Sequence, residues 1–425
     1  MAVLLCAYIL LNCCFSRAVH GQNETHWPSN IAHPQKQNNK TDIYIGTYFS
    51  LGGNWEGGGV IPAVEMAFEH INAKEDVLSD YNLRMVWNDT RCETGMATRV
   101  FFDQIYHSPQ KLMVLGPPCS TGSQAMAETA VHWNLVILSY SAASSALSNR
   151  ERYPTYFRTY LPDTALNPAR VRLMKDFGWT RVATIHENYE LFSLAIDNLL
   201  TLMKENNITA IKSESFSENP KNQIENLKKD DAKIIVANTY ARMARRVFCE
   251  AYKQGMTGPE YVWFIIGWFG PKWWEVDDPY VDCTIEELKA AVEGSRYISS
   301  ESLQLSTSEE LTVAGITARE YEQELRERME WPENRDYIWN EVAPYAYDAA
   351  WAIALTLDKA ASTLEKRPLS GDAFRRLEDF TYDDKEMSQL FFDFLSQADF
   401  LGVSPAAKTT IQSGTLIATF YILPE

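Results

Sequence analysis

The sequence predicts an α/β protein of two lobes, each a mostly parallel sheet covered by helices, with a cleft between them. Three observations predict it. Short apolar runs alternate with helical patterns from residue 41 onward, the alternation occurs in two successive series, and 425 residues are enough for two or three domains.

In the first series DIYIGTYFSL precedes VIPAVEMAFEHINA, LRMVWND precedes MATRVFFDQIYH, KLMVLGPP precedes QAMAETAVHW, and LVILSY leads into a Ser/Ala loop. Strand-length apolar runs followed by helical periodicity imply parallel strands joined by crossover helices. The second series runs through VRLMKDFG, TRVATIHEN, FSLAIDNLLTLMKENN, ITAIKSESFS, IENLKKDD, AKIIVANTY, RRVFCEAYKQG and YVWFIIGWF, with no sequence repeat linking the two. Beyond Cys283 helical patterns dominate: TAREYEQELRERM, YAYDAAWAIALTLDKAASTLEKR and KEMSQLFFDFLSQADF, then a closing strand TLIATFYIL. Open α/β sheets bind ligands outside the carboxyl ends of their strands. A two-lobed version therefore places its ligand in the cleft, with closure as its mechanism.

Composition excludes several classes. Hydrophobic residues at 46% and charged residues at 22% fit neither wholesale disorder nor a multi-span membrane protein. A balance of 39 Lys+Arg against 56 Asp+Glu gives a net charge of −17, which repels phosphate backbones, so nucleic acid is not an expected partner.

The start of the chain, MAVLLCAYILLNCCFSRAVHG, reads as a signal peptide over residues 1–18, with Ser16 and Ala18 at the positions a signal peptidase reads. Its apolar stretch, residues 2–15, is shorter than the roughly 20 residues that cross a bilayer as a helix. Residues 19–41, polar and without periodicity, read as a disordered leader. Cys6, Cys13 and Cys14 fall in the expected signal, leaving Cys92, Cys119, Cys249 and Cys283. An even set in an oxidising compartment points to disulfides. Four cysteines allow three pairings, and neighbour pairing would close two medium loops, each contributing roughly 3 to 4 kcal/mol. Without a CxxC pair or an HExxH motif, a zinc site is disfavoured. Asn23, Asn39, Asn88 and Asn207 each begin an Asn-x-Ser/Thr sequon and are candidate glycan sites.

Two loops carry the candidate ligand chemistry. LGGNWEGGG, residues 51–59, lies between a strand and a helix but is neither GxGxxG nor GxxxxGK[ST], so a nucleotide is not implied. Trp55, an aromatic among glycines, would cap a ligand if this loop rims the cleft. PPCSTGS, residues 117–123, also joins a strand to a helix and offers Ser120, with free helix-start amides, as a plain N-cap, as an anion holder, or as both, since a cap needs one amide and an anion can use others. No GxSxG, Ser/Lys pair or acid/base pair stands out, so a hydrolase is a weak alternative and no enzyme activity or cofactor is expected.

The strings CSTGSQAMAETAVHWNLVILSYSAASSALSNRERYPTYFRT, LKKDDAKIIVANTYARMARRVFCEAYKQG, YVWFIIGWFGPKWWE and APYAYDAAWAIALTLDK closely resemble the extracellular Venus-flytrap module of GABA-B receptors, class C G-protein-coupled receptors. The resemblance covers about residues 42–425. It implies a periplasmic-binding-protein-like clamp with three passages between lobes, near Arg158, Tyr297 and Val403. Residues 42–158 and 298–403 would then form the first lobe, and 159–297 with 404–425 the second. It also supports pairing Cys92 with Cys119 and Cys249 with Cys283. A heterodimer with another subunit of the family is implied, together with a G protein coupled through a membrane domain following residue 425, at the extracellular face of the plasma membrane.

In this family one subunit type binds agonist in its cleft and the other couples to the G protein without binding it. Trp55, Ser120, Tyr240 and Trp268 match the agonist-binding pattern. The second carboxylate-gripping serine falls instead on Ala143, the histidine on Tyr160, and the acidic residue before Ala-Pro on Val342. Glu341 comes one position too early, an offset that turns a side chain by about 100° on a helix or 180° on a strand. Burying an ammonium without a paired carboxylate costs several kcal/mol, so weak or absent GABA binding is expected. FGPKWWE and LSTSEELTVAGITAREYE also resemble the non-binding, signalling partner type. The alternatives are an agonist-binding subunit that takes GABA or another small amino acid, and a secreted amino-acid carrier or decoy. Phe102 and Tyr106, four apart on one helical face, match aromatic positions through which first lobes pair in the family, while a core role is the plain alternative.

Overall fold

The structure, a computed structural model, describes residues 30–31, 40–270, 272–293, 295–300, 304–369 and 374–405. The expected signal and leader up to residue 29, Asn23, Asn39 and the closing strand TLIATFYIL lie outside the described residues.

The apolar runs of the first half pair in parallel as β1 (Thr41–Phe49), β2 (Tyr81–Asp89), β3 (Lys111–Leu115), β4 (Ile137–Ser139) and β5 (Tyr156–Arg158), side by side in the order β2-β1-β3-β4-β5. β1 sets Ile43 against Leu83 and Ile45 against Met85, aligning core-facing side chains across the two strands. The second half builds another parallel sheet from β6 (Arg181–Glu187), β7 (Thr209–Phe216), β8 (Ile234–Asn238), β9 (Val262–Ile266) and β10 (Arg296–Ser300), ordered β7-β6-β8-β9-β10. Numbered within each sheet, these five-strand orders are the same, although the sequences do not repeat; a two-residue strand, Asn30–Ile31, adds an edge beside β2 in the first sheet. This doubly wound pattern has its switch point between the first and third strands of each sheet.

Eleven α-helices accompany the sheets among the described residues: α1 (Ile61–Ala73), α2 (Thr94–Tyr106), α3 (Ser120–Ala130), α4 (Asn167–Asp176), α5 (Glu190–Glu205), α6 (Lys221–Lys229), α7 (Ala241–Lys253), α8 (Ile285–Glu293), α9 (Ala318–Met329), α10 (Ala343–Lys366) and α11 (Lys385–Ser396). One large apolar core joins side chains from β1–β5 to Tyr321 of α9, Trp351 of α10 and Phe391 of α11. Late helices thus complete the first lobe. The second lobe has its own cores, built around Phe248 and Trp263 and around Met174 and Phe264.

α10 is the backbone of the first lobe. Its run of alanines lets it lie close to its neighbours, and every residue from Ala343 to Ala354 is buried. Within that run Asp348 accepts hydrogen bonds from the Val403 and Ser404 amides, at 2.9 and 2.8 Å. A Cβ on Gly402 would overlap this carboxylate, so the position has room only for glycine. Burial pushes the Asp348 carboxyl up to about 6 against the lowering pull of these hydrogen bonds. Val403 is fully buried in the first-lobe core.

β10 continues to Ser300, which pairs with Ile266, so the expected passage near Tyr297 falls within the last residues of this strand. Tyr297 pairs with Trp263 on this edge strand and is exposed. Disulfides join Cys92 to Cys119 and Cys249 to Cys283. The first ties the loop after β2 to the start of α3, and the second ties α7 to the segment leading into α8. Of the sequons within the described residues, Asn207 is exposed just beyond α5, whereas Asn88 is half-buried in β2 and accepts a hydrogen bond from Gln104 at 3.0 Å.

Candidate ligand cleft

Because all ten strands run parallel within their sheets, the loops at their carboxyl ends carry the candidate residues. Trp55 follows β1, Ser120 follows β3, Ser141 and Ala143 follow β4, and Tyr160 follows β5. From the second lobe Leu191 follows β6, Tyr240 follows β8 and Trp268 follows β9. These residues, with Pro118, Cys119 and Val342, line one cavity that opens to solvent. Trp55 and Ser120 flank the switch point of the first sheet, where ligands bind in folds of this winding.

Local sequence explains each placement. Trp55 stands on a short hairpin pairing Leu51–Gly52 with Trp55–Glu56, held by the Ser50 hydroxyl against the Gly52 and Trp55 carbonyls at 3.0 and 2.8 Å. A Cβ on Gly57 would overlap the Trp55 ring, so this glycine is what lets the indole fold back. At the start of α3 the N-cap position is Cys119, with no side-chain cap, and Ser120 is the first helical residue. Ser120 is therefore not the plain N-cap. Its Oγ accepts the Ser144 amide at 3.1 Å, fastening the helix start to the Ser/Ala loop. Ser139 donates to the Pro117 carbonyl at 2.7 Å, and Ser141 to the Pro118 carbonyl at 2.9 Å. The serines following LVIL thus hold the PPC turn in place.

The second-lobe wall is aromatic. Tyr240 and Trp268 have ring centroids 5.5 Å apart with planes at 82°, and Phe192 packs 5.1 Å from Tyr240. Behind them the Tyr240 amide donates to the Glu187 carboxylate at 3.0 Å. Burial pushes the Glu187 carboxyl up to about 7, with the Tyr240 hydrogen bond and then the Arg242 and Arg246 charges pulling it down. Burial likewise raises Asp163 to about 6 despite Arg170 and Arg158. On the first-lobe side Tyr160 meets Tyr345 edge-on at 5.0 Å, and Val342, 4% exposed, precedes α10. Polar contacts across the cleft include two side-chain pairs: Asn54 donates to the Tyr189 hydroxyl at 3.0 Å, and Gln124 donates to the Glu190 carboxylate.

All seven cleft positions singled out by sequence, namely Trp55, Ser120, Ala143, Tyr160, Tyr240, Trp268 and Val342, meet at this cavity. Glu341 is not among its lining residues, and no Asp or Glu is. Sequence reasoning missed Ser141, Leu191, the Glu187 support and both cross-cleft pairs. Their common signal is position, since Glu187 ends β6 and Tyr189, Glu190 and Leu191 follow it directly. Phe102 and Tyr106 lie away from this cavity on α2. Tyr106 is 72% exposed, stacked 6.3 Å from Phe102, which meets Trp133 at 5.5 Å. Among the described residues no His/Cys/Asp/Glu group is arranged to hold a metal, and no helix is long and apolar enough to cross a membrane.

Two sheets of one winding with a lined cleft between them define a ligand-binding clamp. Residues 60–423 match the family described as receptor family ligand binding region, and the chain belongs to that family, which is not an enzyme family. Within it the chain is 38% identical to gamma-aminobutyric acid type B receptor subunit 1 of Rattus norvegicus over 396 residues, 92% of this chain and 40% of that protein. It is 34% identical to subunit 1 of Caenorhabditis elegans (85% of this chain, 40% of that protein) and 34% identical to subunit 2 of Homo sapiens (82% and 36%). The domain is a Venus flytrap of the GABA-B receptor type. The chain spans about 40% of the length of the first of these relatives.

The raised pKa of Glu187 sets a pH dependence. A carboxyl whose native value lies above its unfolded value contributes stability that is complete below about 4.5 and lost as pH rises through about 7. Glu187→Gln keeps an acceptor for the Tyr240 amide and removes the charge. The variant is expected to exceed the parent in unfolding free energy by about 1–3 kcal/mol at pH 8, with the gap closing toward pH 4. Urea denaturation across that range reads it, and a pH-independent gap would contradict the assignment.

Proposed function

We propose that this chain is the ectodomain of a GABA-B-type receptor subunit that acts in a heterodimer, passing cleft closure and lobe contact to a membrane domain, with weak or no GABA binding of its own. The observation that carries the second half is the cavity wall. Ala143, Tyr160 and Val342 stand where the agonist-binding pattern has a serine, a histidine and an acid, and the lining offers no carboxylate to an ammonium. An ammonium leaving water for such a wall loses several kcal/mol that no ion pair returns. We place the lobe boundaries at the passages after Arg158, after Ser300 and near Val403, and the module at the extracellular face of a membrane, signalling to a G protein through a domain outside these residues.

A second reading, an agonist-binding subunit, draws support from Trp55, Ser120, Tyr240 and Trp268 lining one cavity, and from 38% identity to rat subunit 1 against 34% to human subunit 2. Titration calorimetry of the purified ectodomain with GABA separates the readings. No binding at micromolar concentrations is expected, and a micromolar or tighter Kd would reject the non-binding reading.

For partner association we propose the face of α2. An exposed tyrosine stacked on a half-buried phenylalanine, backed by Trp133, presents rigid aromatic area of the kind that anchors interfaces. Phe102→Ala and Tyr106→Ala are each expected to weaken association with the partner subunit's ectodomain by about tenfold or more while secondary structure is retained. Unchanged association in light scattering would count against this face.

A further inference from the structure

We propose that the cleft is built for a small quaternary ammonium ion, of the choline or betaine class, in place of a primary amine. The proposal rests on reading the cavity as a ligand site and names the chemistry of its ligand.

Four rings, Trp55, Tyr160, Tyr240 and Trp268, line the cavity from both lobes. Tyr240 and Trp268 form two walls at 82° with centroids 5.5 Å apart, an angle that lets a rounded cation touch both π systems. Trp268 Nε1 is buried with no hydrogen-bond partner, so what this indole offers the cavity is ring carbon and not its N–H. Trp55 comes from the opposite lobe on a hairpin that Gly57 keeps open for its ring. Leu191 and Val342 complete an apolar surround.

A primary ammonium carries three N–H donors, each of which needs an acceptor once water is excluded. The polar side-chain groups among the lining residues are the Ser120 and Ser141 hydroxyls, of which Ser141 already donates to Pro118, and the phenol and indole groups of Tyr160, Tyr240, Trp55 and Trp268; none is a carboxylate. An ammonium there finds neutral acceptors and no counter-charge. A trimethylammonium has no N–H to satisfy. It spreads its charge over methyl groups and is attracted by ring quadrupoles, the interaction by which aromatic cages recognise such ions. The same substitutions that disfavour an amino acid, a valine for an acid and an alanine for a serine, therefore favour this class. A net charge of −17 adds a general attraction for cations. The Ser120 hydroxyl, whose oxygen accepts the Ser144 amide, keeps its proton for an acceptor on the ligand, which separates betaine with its carboxylate from choline without one.

Calorimetric titrations of the purified chain with choline, betaine, GABA and dimethylbutanol, the neutral carbon isostere of choline, test the proposal. Choline or betaine is expected to bind at least about tenfold more tightly than the isostere. Trp268→Leu should remove most of that advantage and Trp268→Phe should keep part of it, with circular dichroism confirming that both fold. Equal binding of choline and its isostere, or no binding of either quaternary ion while GABA is also silent, overturns the cage and leaves the receptor reading standing. Micromolar GABA binding overturns the non-binding reading on which the cage rests. The choline–isostere comparison needs no variant and decides the matter even where a variant fails to fold.

Discussion

The parallel direction of the strands within each sheet is the constraint on which the rest depends. It sends each strand's carboxyl end to one edge of its sheet, and the shared winding places the switch point between the first and third strands in both lobes. Trp55, Ser120, Tyr240 and Trp268 are far apart in sequence, yet each stands within a few residues of a strand's carboxyl end. The cavity follows from chain direction before any side chain is chosen. The disulfide between Cys92 and Cys119 secures one corner of it, because Cys119 is at once a cavity residue and the cap position of α3.

What the side chains then choose is an apolar, aromatic wall. Two carboxylates near it sit behind the lining, Glu187 under Tyr240 and Asp163 near Arg158 and Arg170, both raised by burial, while Glu190 meets Gln124 at the exposed rim. Charge in this region costs desolvation, and the protein keeps its acids where backbone amides or arginines offset that cost. Aromatic packing across the lobes and the Asn54–Tyr189 and Gln124–Glu190 contacts hold the two walls together in this structure. Specificity in such a cleft comes as much from what its wall leaves unpaired as from what it binds.

The parts that sequence disclosed are those with local signals. Alternating apolar runs and helical periodicity revealed the two series, and a tryptophan among glycines pointed to the cleft. The Ser/Ala loop showed only that it was a loop. That its serines hold the PPC turn, and that Ser120 ties to Ser144 without capping its helix, depends on contacts between separate strand ends. β4 and β5 have three residues each, too short for any period to register. The cross-cleft pairs link residues more than sixty positions apart.

Installing the missing charge is the most direct measurement. With Val342→Glu, a carboxylate enters the lining beside Ala143 and Tyr160, and calorimetry then compares GABA affinity in the variant and the parent. A gain of about tenfold or more is what a wall deficient only in a counter-charge predicts. A folded variant with no gain at all would show that the cleft's selectivity has another cause.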